Sequence, residues 1–303
     1  MKLLILLLLI VLANCTSKEQ TKKDLPEDFI KYWYAGKAEL NSYRLQQARY
    51  GEMRSGEAVL IFVTEDFSNK KLVKLDEPGK RTDEIPVLKL NFTKQFTTGI
   101  YPYHMMASVF SPLKNYIDNK PIKINCSSQE WCGHTFSQLE MKNTSYNWQL
   151  HSYFETEGEQ NFKIDTCLTE DGLWNSIRID PNTLPQGKKL LIPGLLWQRL
   201  SHTAMKTEEA VLKLTTNAEF VGDKLGVSMY SILYPTANRT LNIYFKNKFP
   251  HKIIGWTETY PDGFGDNKKT LTTIATLNKS IMLDYWKHNK NVDSSYRNSL
   301  GLK

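Results

Sequence analysis

From Ala58 onward the chain is a series of runs rich in β-branched and aromatic residues, many with apolar residues at every second position, and that pattern constrains the fold more than any other feature. Val87–Phe96 shows it clearly: Leu88, Leu90 and Phe92 fall on one side, while Val87, Lys89, Asn91 and Thr93 fall on the other. Successive strand side chains point to opposite faces, so each such run is a ribbon with one side to bury. Ala58–Glu65, Met105–Phe110, Ser145–Phe154, Phe162–Leu168, Lys189–Leu200 and Ala210–Thr216 read the same way. Val227–Tyr234, Thr240–Phe249, Ile253–Tyr260 and Leu271–Leu277 continue the series. Turn chemistry separates them, as in Glu77-Pro78-Gly79-Lys80, Glu157-Gly158-Glu159 and Pro261-Asp262-Gly263. The pattern predicts a mainly β body: a large antiparallel sheet, a sandwich, or an open or closed barrel.

Two or three short helices interrupt it. Pro26, the acids Glu27 and Asp28, and Gly36 are start and stop signals around Phe29 and Trp33, which share a helical face. Thr169 precedes Glu170 and Asp171, with Leu173, Trp174 and Ile177 at helical spacing and Asp180-Pro181 as a stop. Ile281–Trp286 either extends a strand or forms a third short helix. Residues 25–288 make the β-rich body, as one domain or as two β halves with a seam near 169–188; residues 289–303 read as a polar, loose tail.

The chain begins Met1-Lys2 and runs apolar from Leu3 to Ala13, the layout of a secretory signal peptide over residues 1–14. Cys15 directly after Ala13-Asn14 resembles the lipidated cysteine of a bacterial lipobox, with residues 15–24 as a polar tether. Acyl chains there would anchor the exported protein to a bacterial membrane, facing the periplasm or the cell surface. The formal charge is +7, and Lys268–Lys303 alone carries seven Lys/Arg against two Asp. No nucleic-acid motif accompanies that charge, so a solvated basic end is expected and a nucleic-acid partner is not.

Chemistry concentrates in Gln129-Glu130-Trp131-Cys132-Gly133-His134, with Cys126 just upstream. In one reading Cys132 and His134 share a strand face, and Glu130 orients the histidine of a thiol enzyme. In the other, a hairpin brings Cys126 and Cys132 to the ~5.5 Å Cα separation of a disulfide, natural in an oxidising compartment. Their spacing with His134 is not that of a zinc site, so no metal and no cofactor are expected. Tyr101, Tyr103, His104, Met105 and Met106, together with Trp131, are candidates to line an apolar ligand site, because Met adapts to irregular ligands. The competing reading has Pro102 bending the start of a strand whose aromatics simply join the core.

Lys31–Gly36, Gln47–Glu52, Ala58–Glu65, Gly99–Tyr103, Gln129–His134 and Gly255–Thr259 resemble a family of uncharacterised exported lipoproteins, often labelled septum formation inhibitor Maf. The resemblance runs over nearly the whole chain after Cys15. The Maf label implies a cytosolic nucleotide pyrophosphatase with a Ser-x-Ser-Pro-Arg-Arg motif near its start. Here Ser111-Pro112 is followed by Leu113-Lys114, so that motif is absent. Pro250–Leu277 is more distantly similar to exported β-rich domains of unknown function. Neither resemblance implies catalytic residues. The expected role is a membrane-anchored envelope protein that binds an apolar ligand or an envelope partner. The alternatives are an enzyme centred on Cys132 and His134, or a scaffold subunit of an envelope complex.

Overall fold

A computed structural model describes residues 25–114 and 120–302. The predicted signal peptide, Cys15 and the tether lie outside the described residues. The first half of the chain supplies β1 (Ala38–Arg49), β2 (Glu52–Ser68), β3 (Val73–Lys74), β4 (Glu84–Thr98), β5 (Tyr101–Pro112), β6 (Lys123–Glu130), β7 (Gly133–Lys142), β8 (Ser145–Ser152) and β9 (Gln160–Asp165). The second half supplies β10 (Leu168–Thr169), β11 (Gly187–Ile192), β12 (Glu208–Thr216), β13 (Val227–Tyr234), β14 (Arg239–Lys246), β15 (Ile253–Asp262) and β16 (Lys269–Leu283). All sixteen belong to one sheet, ordered from β10 through β16 to β1, then β2, β4 and on to β9, with β3 flanking β2. Every pairing is antiparallel except that of β10 with β11.

The two ends of that path are neighbours in sequence. Only Thr166 and Cys167 separate β9 from β10, so Asp165 and Leu168 lie within about 11 Å of each other at 3.8 Å per Cα step. The sheet must therefore curl around until its edges meet, giving a barrel-like wall whose last seam carries no strand ladder. Antiparallel alternation places the β1–β2, β4–β5, β6–β7, β8–β9 and β15–β16 connections at one end, here called the upper end. The starts of β1 and β10 lie at the lower end.

α1 (Glu27–Trp33) inserts Phe29 and Trp33 into the core with its other face exposed, α2 (Glu170–Ile179) and α3 (Leu195–Ser201) pack inside, and α4 (Ser295–Ser299) lies near the C-terminus. Every residue of α2 is buried. Thr169 caps it as its sequence predicts, accepting from the Gly172 amide at 3.1 Å. Trp174 meets Phe92 and Trp256 edge-on at 5.1 and 5.4 Å, in one core that gathers residues from α1 to β16. Arginine–glutamate pairs hold both ends of α2. At its C-terminus Arg178 donates to both oxygens of Glu39 on β1 at 2.8 Å, each side chain fully buried. At its N-terminus Glu170 accepts from Arg239 of β14 through both oxygens at 2.6 Å, and Arg239 also pairs with Glu258 at 2.7 Å.

β1 carries no apolar alternation because it buries Glu39, Asn41, Ser42 and Gln47 as well as its apolar residues; Glu39 and Gln47 find partners there, while Asn41 Oδ1 has none among the described residues. Two sequence expectations change. The run Lys189–Leu200 is not one strand: β11 ends at Ile192, Pro193-Gly194 turn the chain, and Leu195 to Leu200 wind into α3. The polar tail is not loose. It returns over the outer face of β1, where Leu300 packs with Ala38, Leu40 and Val63, and Ser42 donates to the Leu300 carbonyl.

Burial alone pushes the Glu39 carboxyl up, but the Arg178 charge and its two bonds outweigh that and hold it at about 2. A carboxyl depressed on folding adds stability above its unfolded value of 4.5, and that stability is lost as pH falls toward 2. Glu39→Gln leaves Arg178 buried without a counter-charge and is expected to cost about 3–5 kcal/mol in chemical denaturation at pH 7. The deficit should shrink as pH is lowered through 4 toward 2; a pH-independent deficit would contradict this assignment.

Candidate functional site at the upper end

Inward-facing positions change character along β6 and β7. Deep in the barrel they are Ile124 and Leu139; toward the upper hairpin they become Cys126, Ser128 and Glu130, opposite Ser137 and Thr135. α3 lies over this polar end. A cavity of about 150 Å³ opens between them, lined by the apolar Trp148, Leu195 and Met205 and by the polar Gln160, Arg199 and His202. Cys126 and Glu157 complete its wall.

Several interactions hold α3 there. Asp171 of α2 accepts from the Leu195 amide at 3.0 Å, tying the start of α3 to the core. Gly194 permits that approach, since a Cβ at this position would lie 2.4 Å from a Glu170 oxygen. Arg49 donates to the Leu200 carbonyl at the other end. The chain then turns through His202, a left-handed residue with φ 53°. Its Nδ1 faces Glu157 Oε1 at 2.6 Å. Burial lowers the His202 pKa despite that carboxylate, so the ring is neutral, with its proton on Nδ1 toward Glu157.

Arg199 is the unusual group. Its side chain is 7% exposed, yet Glu130 and Glu157 each stand off at 3.8 Å. Among the described residues Nη1 meets only the His202 ring within hydrogen-bond distance, at 3.2 and 3.3 Å, and Nε has no partner. Its guanidinium sits 4.6 Å from the Phe154 ring. A guanidinium has five donors to satisfy, so this one retains capacity for an acceptor.

The sequence-predicted centre is divided by this arrangement. Glu130 faces inward, and Oε2 accepts from the Cys132 amide at 2.9 Å. Trp131 and Cys132 form the exposed two-residue turn between β6 and β7, so strand alternation does not relate Cys132 to the outward-facing His134. The predicted Cys126–Cys132 disulfide is corrected: both thiols are free. Four strand residues separate Cys126 from the end of β6, about 13 Å at the strand rise, well beyond disulfide reach. The Glu130 carboxylate raises the Cys132 thiol, by hydrogen bond and then by charge, opposite to the shift an activated nucleophile needs. Among the described residues no His, Cys, Asp or Glu group is arranged to hold a metal.

The other ligand candidates also part. Tyr103 and Met105 are buried in the core, where Tyr103 stacks on Phe96 at 4.9 Å and bonds Arg49 and Tyr50. Tyr101 is half-buried and 5.9 Å from Tyr103, while His104 and Met106 face out. Sequence reasoning missed Glu157, Arg199 and His202, which lie far from Cys126 in the chain. Pro193-Gly194 followed by leucines, with Arg199 and His202 near the last turn, was the helix signal for α3. A larger crevice of about 760 Å³ lies outside the barrel, between the returning tail and Val59 and Ile61 of β2.

No protein-family model matches the chain, and no curated protein matches it. A solved structure does: the crystal structure of a beta-barrel-like protein of the domain of unknown function DUF1849 from Brucella abortus. It aligns over 81% of this chain and 98% of that one, with 10% identity and a TM-score of 0.47.

Two measurements check this geometry. Denatured but unreduced protein should alkylate at Cys126, Cys132 and Cys167, while native protein should react at Cys132 and spare Cys126, whose thiol burial pushes up. Burial, and then the neighbouring Glu170 charge, push the Asp171 carboxyl up to about 7. A carboxyl raised on folding favours the native state below its unfolded value of 3.8, and that advantage is lost as pH rises toward 7. Asp171→Asn is therefore expected to melt at least about 3 °C above wild type at pH 8. The gain should vanish near pH 4, and a gain equal at both pH values would refute the assignment.

Proposed function

We propose that the protein is a lipid-anchored binding protein of the bacterial cell envelope, with a small amphipathic ligand seated in the upper cavity. The observation that carries the binding reading is Arg199: a buried guanidinium whose Nε has no acceptor among the described residues, on the wall of a cavity lined also by apolar side chains. Structural arginines are normally satisfied by the fold itself, whereas a binding site keeps a few polar groups for its ligand. The cavity is of the size that accepts a single ring, and helices and aromatic side chains fill the rest of the interior. The cavity therefore suits a compact ligand at the upper end. The envelope address is supported by the lipobox-like Ala13-Asn14-Cys15 and by the likeness to exported lipoproteins.

A second reading, docking of an envelope partner, is favoured by one observation. The connections at the upper end expose Ile100 (81%), Trp131 (70%), Tyr153 (69%) and Phe264 (66%). Large exposed apolar residues gathered at one end suit a protein contact.

Intact-mass measurement of membrane-extracted protein should show cleavage before Cys15 and added acyl mass; an uncleaved or unacylated chain would overturn the envelope assignment. Native mass spectrometry of the same protein should show a small bound species that Arg199→Met loses. Equal retention by the variant would remove the upper cavity from the binding role.

A further inference from the structure

The charges around the cavity restrict what it accepts. Resting on the binding reading above, we infer that the ligand is electrically neutral, about one ring in size, and presents a carbonyl-type acceptor to Arg199.

Several acceptors close to the guanidinium are already engaged, while Gln198 Oε1 and the Thr135 and Ser137 hydroxyls add further polar lining. Glu157 Oε1 faces the His202 nitrogen at 2.6 Å, and its Oε2 accepts from Ser152 at 2.5 Å. Glu130 Oε2 accepts from the Cys132 amide at 2.9 Å. Gln160 Oε1 accepts from the Trp148 indole at 3.1 Å, while its amide nitrogen donates to the Glu157 carbonyl at 2.8 Å. The Arg199 guanidinium retains donor capacity, so a ligand group that meets it is an acceptor.

A carboxylate ligand meets a different obstacle. Glu130 and Glu157 flank Arg199 on two sides at 3.8 Å, so an anion reaching the guanidinium approaches two fixed negative charges for one positive. A cation meets the Arg199 charge itself. A neutral acceptor incurs neither repulsion and keeps the Arg199 charge compensated where it stands. The apolar wall of Trp148, Leu150, Leu195 and Met205 takes the remainder of the molecule, and the volume of about 150 Å³ limits it to roughly one ring.

Benzamide, benzoate and benzamidinium share one shape and differ in charge. Titration calorimetry of the full-length protein with each is expected to give one site for benzamide, with at least tenfold weaker binding of the two ions. Arg199→Lys keeps the charge but removes the planar fork, and should weaken benzamide at least tenfold. Leu150→Trp, at a half-buried wall position, should abolish binding while the protein still melts cooperatively. Tighter benzoate or benzamidinium, lost in Leu150→Trp, overturns the neutral class and leaves the cavity as a binding site. Absence of binding by all three overturns both. Benzamide binding unchanged in both variants places the site elsewhere and also overturns the inference.

Discussion

α2 is held by a buried arginine at each end, and the barrel is arranged around those two clamps. Glu170 lies at its first turn and Arg178 at its last, so one helix presents opposite charges to two different parts of the wall. Arg239 of β14 takes the first and Glu39 of β1 the second. Two strands, β15 and β16, lie between those attachment points in the sheet. The helix therefore has one depth and one orientation in the interior, because a shift by a turn would strand four charges in a medium that cannot solvate them. Such clamps specify the arrangement more than they stabilise it. The aromatic contacts of Trp174 with Phe92 and Trp256 supply the apolar burial.

The position of α2 propagates to the cavity. Asp171, next to the clamped Glu170, accepts from the first amide of α3, and Gly194 lets the two helices approach. α3 then carries Arg199 over the polar ends of β6 and β7, and His202 closes against Glu157 on the β8–β9 loop. Elements from three separate regions of the chain thus meet at one place. Local bonds such as Gln160 to Glu157 and Cys132 to Glu130 hold parts of it, but the contact of His202 with Glu157 spans 45 residues of sequence.

This also explains which parts of the structure were legible in the sequence. Period-two alternation revealed strands with one wet and one dry face, such as β4, and capping chemistry revealed α2. β1 was illegible because the returning tail covers its outer face, and its buried Glu39, Asn41 and Gln47 imitate solvent-facing residues. α3 was hidden in an apolar run shared with β11, where buried strand and buried helix look alike. At the site, Glu130 and Cys126 drew attention as part of a local cluster and do face the interior. Their working neighbours Glu157, Arg199 and His202 come from other loops and helices, and no local spacing encodes a contact that only the curl of the sheet creates.

The strand order places the first and last long strands of the chain side by side. β1 pairs with β16 from Ala38 against Leu283 to Gln46 against Ile274, in the middle of the path, while the seam falls at mid-chain. A chain emerging from its N-terminus builds β1 to β9 with one side of β1 unpaired, and the partner for that side is among the last segments made. Until then the growing protein carries a long open edge of the kind that invites pairing with other chains. Its wall is completed from the inside of the sequence outward, so a truncated copy lacks the central strand of its sheet and not merely a terminal ornament.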